Sequence, residues 1–243
     1  MGENLNAFGQ PIGPPVPGWS RRSPPDRVVL EGRYCRLEPL DPVRHTADLF
    51  DANGQDDGRG WTYLSYGPFD TPDGYRTWVE GAAASKDPLF STIIETASGN
   101  PAGVAALMRI DPANGVVEVG HIKYAPALQR TPAATEAMFL LMRYVFENLG
   151  YRRYEWKCDS LNAPSRRAAE RLGFIYEGMF RQAVVYKGRS RDTTWFAMTD
   201  GDWPMLKRAY EAWLAPANFD EAGQQRRRLP DLIAEARVAV SGQ

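Results

Sequence analysis

The chain has 243 residues, of which 29 are basic and 30 acidic, so its formal net charge is −1. This balance excludes a strong overall attraction to nucleic acid or to an anionic membrane surface. The longest apolar run, Ala137 to Met142, is far too short to cross a bilayer, and the first residues lack the pattern of a secretory signal. We expect a soluble cytoplasmic protein.

The first half of the chain predicts a proline-rich arm followed by helices and strands. Residues 1–25 hold six prolines and several glycines, so we expect an arm without a packed helix or strand ladder. The elements predicted next are a strand at 28–38, a helix from Asp41-Pro42 to about Asn53, a helix from Thr71-Pro72 to about Ser85, and a meander of strands at 89–96, 103–110 and 116–124.

The second half predicts a crossover helix and a mixed sheet. Apolar residues recur at helical spacing after Pro132 and stop at Gly150. In residues 153–158 apolar and charged side chains alternate, which indicates a strand with two unlike faces. A helix at 165–172, strands at 174–186 and 192–199, and helices beginning near residues 202 and 229 follow. We predict an α/β fold with a domain at 26–200 and a helical C-terminal extension at 201–243.

Most of the usual signatures of catalytic or ligand-binding sites are missing. The two histidines and the two cysteines, Cys35 and Cys158, have no metal-binding spacing, so we predict no metal site. The glycine-rich loops for dinucleotides and nucleoside triphosphates are absent, and so is the serine elbow of hydrolases. Both cysteines lie in apolar strand patterns, which is typical of a reducing compartment. The basic run 226–228 predicts a solvated helix face.

The turn before the central helix is the remaining candidate for a ligand site. Thr131 fits the N-cap of that helix and Pro132 fits its first position. Small side chains at Ala133 and Ala134 leave the free N–H groups of the first turn uncovered, as an anion-binding helix start requires. A helix start without a ligand fits this turn equally well.

Four stretches of the chain together resemble the acetyl-CoA-binding core of the GNAT superfamily of N-acetyltransferases, from about Val28 to Thr199. These stretches are QRTPAATEA, SLNAPSRRAAERLGF, YEGMFRQ and RDTTWFAM. The last three are similar to the branch that includes the ribosomal-protein N-terminal (alanine and serine) acetyltransferases. The resemblance implies a mixed, mostly antiparallel sheet with a splayed central strand pair, helices on both faces, and acetyl-CoA as co-substrate.

The resemblance also implies that backbone N–H groups of the turn wrap the cofactor pyrophosphate. In the family pattern Gln/Arg-x-x-Gly-x-Gly/Ala, Gln129 and Ala134 fit, whereas Pro132 replaces the glycine. The proline removes one donor and fixes φ near the helical value. The cofactor-binding residues implied for this turn are Gln129, Arg130, Thr131, Ala133, Ala134 and Thr135.

Further cofactor contacts are implied on the strand before the turn and on the helix at 165–172. The resemblance places the backbone of Ile122 and Tyr124 along the pantetheine arm, with the Ile122 N–H polarising the thioester carbonyl. It also implies that Asn162 reaches the cofactor arm and that Ser165 gives a proton to the leaving thiolate. The alternatives are ordinary sheet packing for the first two residues and a plain helix start, capped by Asn162, for the other two.

Glu118 stands where many members of the family carry a general base. Apolar neighbours favour the uncharged form of a carboxyl, which suits accepting a proton from an ammonium substrate near neutral pH. The alternative is a solvent-facing strand residue paired with a neighbouring cation. Strand parity puts His121 on the face opposite Glu118, so we expect His121 to be buried and hydrogen-bonded rather than catalytic.

An aromatic stretch, GWTYLSYGPF, lies where the family places its acceptor-binding loop. Its aromatic residues either shape an amine pocket or fill the gap between helices. They are Trp61, Tyr63, Tyr66 and Phe69.

The prediction for function is transfer of an acetyl group from acetyl-CoA to a primary amine by direct attack in a ternary complex. The acceptor is a small-molecule amine or a polypeptide N-terminus, and neither nucleic acid nor a membrane is expected as a partner. A homodimer is left open. The alternatives are a non-catalytic acyl-CoA-binding or scaffolding module, and a transferase for a longer acyl group.

Overall fold

A computed structural model describes the backbone of residues 4–241 and the side chains of residues 4–239. The strands are β1 (Asn4–Leu5), β2 (Pro11–Ile12), β3 (Leu30–Glu31), β4 (Cys35–Pro39), β5 (Leu89–Glu95), β6 (Pro101–Asp111), β7 (Val116–Tyr124), β8 (Arg153–Asp159), β9 (Ile175–Tyr186) and β10 (Arg189–Thr199). The helices are α1 (Pro42–Asn53), α2 (Pro72–Ala84), α3 (Pro132–Arg143), α4 (Ala163–Arg171), α5 (Trp203–Leu214) and α6 (Leu229–Ser241). Residues 1–3 of the predicted arm and 242–243 of the predicted extension lie outside the described residues.

Eight strands form one mixed sheet in the order β3-β4-β5-β6-β7-β8-β10-β9. All neighbouring pairs are antiparallel except β7 and β8, which are parallel and joined through α3. Their pairing runs from Val116 opposite Arg153 to Val119 opposite Trp156, and after Val119 no described residue pairs with β7 on the β8 side. The two strands therefore diverge. The predicted α/β fold with a mostly antiparallel sheet and a splayed central pair is confirmed.

Helices cover both faces of the sheet. The large core packs α3, α4, α5 and α6 against one face, and every α3 residue from Ala133 to Met142 is buried. A smaller core, which includes Leu49 of α1, Val79 of α2 and Phe90 of β5, covers the other face. On β8, Tyr154, Trp156 and Cys158 belong to the large core while the charged residues between them face the other way. The two unlike faces predicted for this strand are confirmed.

Helix starts follow the local sequence closely. Asp41, Thr71 and Thr131 cap α1, α2 and α3, each accepting backbone N–H groups of the first turn, and each helix begins with a proline. These caps are decided by side chains within three residues of the helix start, so a local pattern is enough to predict them.

The strand predicted at 28–38 is broken into β3 and β4, because a carboxylate on the central helix holds a turn between them. Glu136 of α3 is buried and accepts the N–H groups of Arg33 and Cys35 at 2.9 and 2.8 Å, and that of Tyr34 as well. Three backbone donors are satisfied by this one side chain, so α3 is fixed to the sheet edge near its own first turn.

Two other predictions need correction. The arm forms a small ladder after all, since β1 pairs with β2 in antiparallel register. The central helix is α-helical only to Arg143 and continues as a single π-helical segment over Tyr144–Asn148. No helix among residues 4–241 is long and apolar enough to cross a membrane.

The arm and the extension both lie against the body. Trp19 donates to the Ala113 carbonyl at 3.0 Å. In α5, Trp203 and Tyr210 stack on Phe139 of α3, with ring centroids 5.9 and 5.4 Å apart. The boundaries placed at residues 25 and 200 stay a prediction.

We expect Glu136→Leu to lower the free energy of unfolding by about 2–3 kcal/mol, because three N–H groups, that of buried Cys35 among them, lose their acceptor. Glu136→Gln should cost about 1–2 kcal/mol, because its amide oxygen still accepts while its NH2 group faces a donor. Urea denaturation measures both. The control is Glu211→Gln on α5, half-exposed, which should change stability by less than about 0.5 kcal/mol. Equal losses for Glu136→Gln and the control would contradict this account.

Candidate active site

A bulge reshapes β7 where it leaves β8. Ala106 of β6 lies opposite Gly120 and Val104 lies opposite Lys123, so one β6 residue faces two β7 residues. His121, one of these two, has φ of 51°, in the left-handed region. A bulge with an extra residue reverses the alternation of side chains along the strand.

The bulge turns His121 toward the same face as Glu118, so the parity prediction is wrong. The His121 ring lies 5.1 Å from the Phe90 ring of the small core and 5.5 Å from the Tyr66 ring, measured between centroids. Its Nδ1 lies 3.2 Å from the Tyr66 hydroxyl, which is the hydrogen bond that was expected. The other ring nitrogen has no hydrogen-bond partner among residues 4–241.

The pKa of His121 is lowered, first by burial of the ring and then by the Arg109 guanidinium nearby. Both effects disfavour the imidazolium ion. A free imidazole titrates at about 6.5. His121 is therefore a neutral ring at neutral pH, with one nitrogen available to accept a proton.

Glu118 is buried between two cations, so the apolar setting predicted for it is wrong. Its carboxylate lies 2.7 Å from Arg109 Nη1 on β6 and 2.9 Å from Lys157 Nζ on β8. The ion pairs continue from Lys157 to Glu155 at 2.6 Å and from Glu155 to Arg153 at 2.7 Å. The pairing with cations agrees with the alternative given for Glu118, but the side chain is buried rather than facing solvent.

The turn after β7 uses part of its hydrogen-bonding capacity within the chain. Gln129 Nε2 donates to the Tyr124 carbonyl at 3.2 Å. Arg130 has φ of 64°, so the chain turns sharply there, and its side chain is exposed. Within the described part of the chain, the Arg130 N–H donates to nothing.

Two of the five predicted N–H donors of the turn are engaged. The Thr131 N–H donates to the Leu128 carbonyl, and the Ala134 N–H donates to Thr131 Oγ1 at 3.2 Å. The Ala133 N–H, like that of Arg130, has no acceptor among residues 4–241. Fewer N–H groups are therefore free than the sequence suggested. The free N–H groups of Arg130 and Ala133 lie at the start of α3.

Arg171 was missed by the sequence interpretation. Its Nη1 donates to Thr135 Oγ1 in α3 at 3.1 Å, and its guanidinium lies over the Trp213 ring of α5, 5.3 Å from the centroid. Burial lowers its pKa, but an arginine stays protonated. No carboxylate in the described part of the chain lies within 4 Å of it. Residues 135 and 171 are far apart in the chain, so no local signal could reveal this cation.

The side chains of β7 beyond the bulge point into the protein. Ile122 packs against the large core, and the Tyr124 hydroxyl donates to the Ala134 carbonyl at 3.2 Å. Their backbone lies along the gap left where β8 diverges.

Asn162 and Ser165 occupy the start of α4, across the gap from β7. Asn162 caps the helix, since its Oδ1 accepts the Ser165 N–H at 3.1 Å. Ser165 Oγ accepts the Trp156 indole N–H at 2.9 Å. The Asn162 NH2 group and the Ser165 hydroxyl proton have no acceptor among the described residues.

The aromatic strap, residues 60–69, crosses above the gap from β7 to the β9–β10 hairpin. On the β7 side of the strap, Lys123 pairs with Asp56, and its Nζ lies 4.7 Å from the centroid of the Trp61 ring. On the hairpin side, Lys187 Nζ donates to the main-chain carbonyls of Trp61 and Gly67 at 2.9 and 2.7 Å.

The predicted packing role is confirmed for two of the strap residues, whereas the amine pocket stays a prediction. Trp61 and Phe69 fill the small core, Tyr66 stacks on His121, and the Tyr63 hydroxyl donates to the Leu161 carbonyl at 3.0 Å. The structure thus brings His121, Glu118 and the strap to one face, at the mouth of the gap between β7 and β8.

The fold and this site define an acetyltransferase, and comparison with known proteins agrees. The GNAT acetyltransferase domain matches residues 36–175. A GCN5-related N-acetyltransferase from Brucella melitensis has a solved structure with 53% identity and a TM-score of 0.89, covering 90% of this chain and 100% of its own.

Two proteins of Bacillus subtilis (strain 168) are also similar. The prophage-derived uncharacterized N-acetyltransferase YokL is 31% identical over 124 residues, 51% of this chain and 68% of YokL. YdaF, whose name places it among ribosomal N-acetyltransferases, is 27% identical over 175 residues, 69% of this chain and 90% of YdaF. The chain belongs to the GNAT acetyltransferase family, enzymes that transfer an acetyl group from acetyl-CoA.

Proposed function

We propose that this enzyme transfers the acetyl group of acetyl-CoA to a primary amine by direct attack in a ternary complex. The observation that carries the proposal is the gap between β7 and β8, which opens after Val119 and ends at the turn before α3, where Arg130 is exposed and Thr131 and Pro132 are half-buried. Unpaired strand backbone offers donors and acceptors that match the amides of a pantetheine arm. Free N–H groups at the helix start suit a diphosphate.

The proposed cofactor contacts follow the chain around this gap. The Arg130 and Ala133 N–H groups bind the pyrophosphate, and the unpaired Arg171 guanidinium adds positive charge beside them. Gln129, Thr131, Ala134 and Thr135 shape the turn. Backbone groups of Ile122 and Tyr124 pair with the pantetheine arm, and the Asn162 NH2 group reaches it from the opposite side.

The proposed reaction joins the amine nitrogen to the thioester carbonyl carbon and breaks the C–S bond. The Ile122 N–H stabilises the oxyanion that forms at the carbonyl. The amine proton passes to Nε2 of His121, in the tautomer whose Nδ1–H donates to the Tyr66 hydroxyl. The Ser165 hydroxyl donates a hydrogen bond to the departing thiolate. Glu118 is the second candidate base, and its carboxylate is already engaged in two ion pairs.

The acceptor is a small amine or a polypeptide N-terminus, and the name of YdaF supports the second class. Both a non-catalytic CoA-binding module and a longer acyl donor stay as alternatives. Labelled acetyl-CoA with peptides, polyamines and amino acids tests the proposal. CoA binding without turnover beyond background hydrolysis would favour the module, and a preference for propionyl- or butyryl-CoA would favour the longer donor. We also propose a cytoplasmic setting, where Cys35 and Cys158, both buried and free, stay reduced.

We expect His121→Asn to lower kcat at least about 100-fold, because the proton acceptor is lost. Asparagine tolerates the positive φ at this position, so the bulge is kept. In the unchanged enzyme kcat/KM should rise with pH through a pKa below about 6.5, since only the neutral ring accepts a proton, and the variant should lose this acid limb.

The matched variant is Glu118→Gln, which should lower kcat less than about 10-fold while CoA affinity is preserved. Steady-state kinetics across pH 5–9 separate the two. A large loss of kcat in Glu118→Gln together with a small one in His121→Asn would assign the base to Glu118.

For the cofactor, we expect Arg171→Gln to raise the Kd of CoA about 10-fold, since one charge-assisted contact near a phosphate is worth about 1.4 kcal/mol or more. Arg167→Gln, an exposed arginine on the same helix, is the control and should leave the Kd unchanged. Calorimetry at two salt concentrations measures both variants. Equal affinities in the two variants would rule out a role for Arg171.

We further propose that β9 pairs with β9 of a second copy across a two-fold axis. β9 is a twelve-residue edge strand, and Tyr176, Phe180 and Val185 on it are 50, 57 and 79% exposed. A long apolar edge is a ready template for another strand, and antiparallel pairing of identical strands closes a dimer.

Light scattering should give twice the chain mass for the unchanged protein. Val185→Asp should shift the mass toward the monomer, because a charge at the edge repels its own copy. Val238→Asp, at an exposed valine of α6, should leave the mass unchanged. A monomer in the unchanged protein at high micromolar concentration would overturn the dimer.

A further inference from the structure

The tip of the β9–β10 hairpin carries positive charge that the protein does not neutralise. Lys187, Arg189 and Arg191 have no carboxylate within 4 Å among residues 4–241. Lys187 and Arg189 donate to main-chain carbonyls of the strap, and both arginines lie over the Tyr186 ring, 5.4 and 5.8 Å from its centroid. Main-chain carbonyls and an aromatic face attract these cations without cancelling their charge.

Three polar atoms on one face of β10 are enclosed and unpartnered. They are Arg191 Nε, Thr193 Oγ1 and Trp195 Nε1, on alternating residues that point to the same side of the sheet. Buried polar groups in folded proteins nearly always have a hydrogen-bond partner. Three such atoms in a row indicate a site that a ligand completes.

The three residues that carry these atoms lie along β10 between the hairpin tip and the proposed reaction centre. Lys157 Nζ lies 3.8 Å from the Trp195 ring centroid and also binds Glu118. The carboxylate opposite Thr193 is Asp159, and it is already engaged by the Tyr186 hydroxyl at 2.8 Å and by the Leu161 N–H. Asp159 is therefore already engaged, and no carboxylate among the described residues lies within 4 Å of Arg191.

A guanidinium beside a hydroxyl, with further cations close by, recognises carboxylate and phosphate groups. We propose that the acceptor amine carries such an anionic group and that Arg191 binds it, with Thr193 as a second contact. This inference rests on the proposed acetyl transfer and names the class of its acceptor.

The test uses matched acceptors that differ only in the anionic group: an L-amino acid against its amide for carboxylate, and phosphoethanolamine against ethanolamine for phosphate. We expect kcat/KM to be at least tenfold higher for the anionic member of one pair, and that pair identifies the source of the charge. Arg191→Gln should remove this preference through KM. The neutral acceptor and the Kd of CoA should change less than twofold.

Arg191→Lys keeps the charge but loses the forked geometry, so it should retain part of the preference. Arg181→Gln, at an exposed arginine on the same hairpin, is the control and should behave as the unchanged enzyme. Equal kcat/KM within both pairs, or an equal loss for both members in Arg191→Gln, would overturn the inference while leaving acetyl transfer intact.

A second measurement separates this inference from the proposed function. Calorimetry of the N-acetylated form of the preferred anionic acceptor, N-acetyl amino acid or N-acetylphosphoethanolamine, against the CoA-bound protein reports on Arg191 without turnover, and Arg191→Gln should weaken that binding at least tenfold. Absence of any acetyl transfer would contradict the proposed function. Product binding that ignores Arg191 would overturn the inference alone.

Discussion

The structure depends on how short the parallel ladder between β7 and β8 is. Four residue pairs, Val116 to Val119 against Arg153 to Trp156, join the two halves of the sheet. Beyond them β8 continues beside β10 while β7 bends at its bulge toward the start of α3. The strand backbone that remains unpaired, the turn before α3 and the position of His121 all follow from this early divergence.

Charged side chains hold the ladder where it is. Arg109, Glu118 and Lys157 come from three adjacent strands, and each carboxylate in the row lies between two cations. Burying charge is costly, and it is tolerated when opposite charges and hydrogen bonds satisfy every group. Two of these ion pairs cross between strands, Arg109 to Glu118 and Glu118 to Lys157, and sliding β7 by a single residue would separate both, so they fix the register of the sheet centre.

A feature of this structure could be predicted from the sequence when the residues that determine it lie close together in the chain. The helix caps, the bounds of β7 and the two faces of β8 are local, and the sequence was sufficient for them. The break between β3 and β4 depends on Glu136, about one hundred residues away, and no pattern in residues 28–38 indicates it. The large core needs only apolar periodicity, which is why the fold class was predictable.

The site was less predictable for the same reason. The face of His121 is set by an extra residue opposite β6, and a bulge has no fixed signature in a strand without glycine at its left-handed position. The surroundings of Glu118 depend on cations from neighbouring strands. The surroundings of Arg171 depend on how α3 and α5 pack beside it. The sequence motifs were sufficient to predict the gap. The charged groups around it could be identified only from the three-dimensional structure.

The strap is attached to the β9–β10 hairpin through its main-chain carbonyls, and this bears on how such an enzyme can change in evolution. Lys187 and Arg189 grip carbonyls of Trp61, Thr62 and Gly67, and every amino acid offers the same carbonyl. These three hydrogen bonds therefore do not depend on which side chains the strap carries, whereas the packing of Trp61 and Phe69 in the small core does. Substitutions at other strap positions can change its surface while the main-chain attachment to the hairpin is kept.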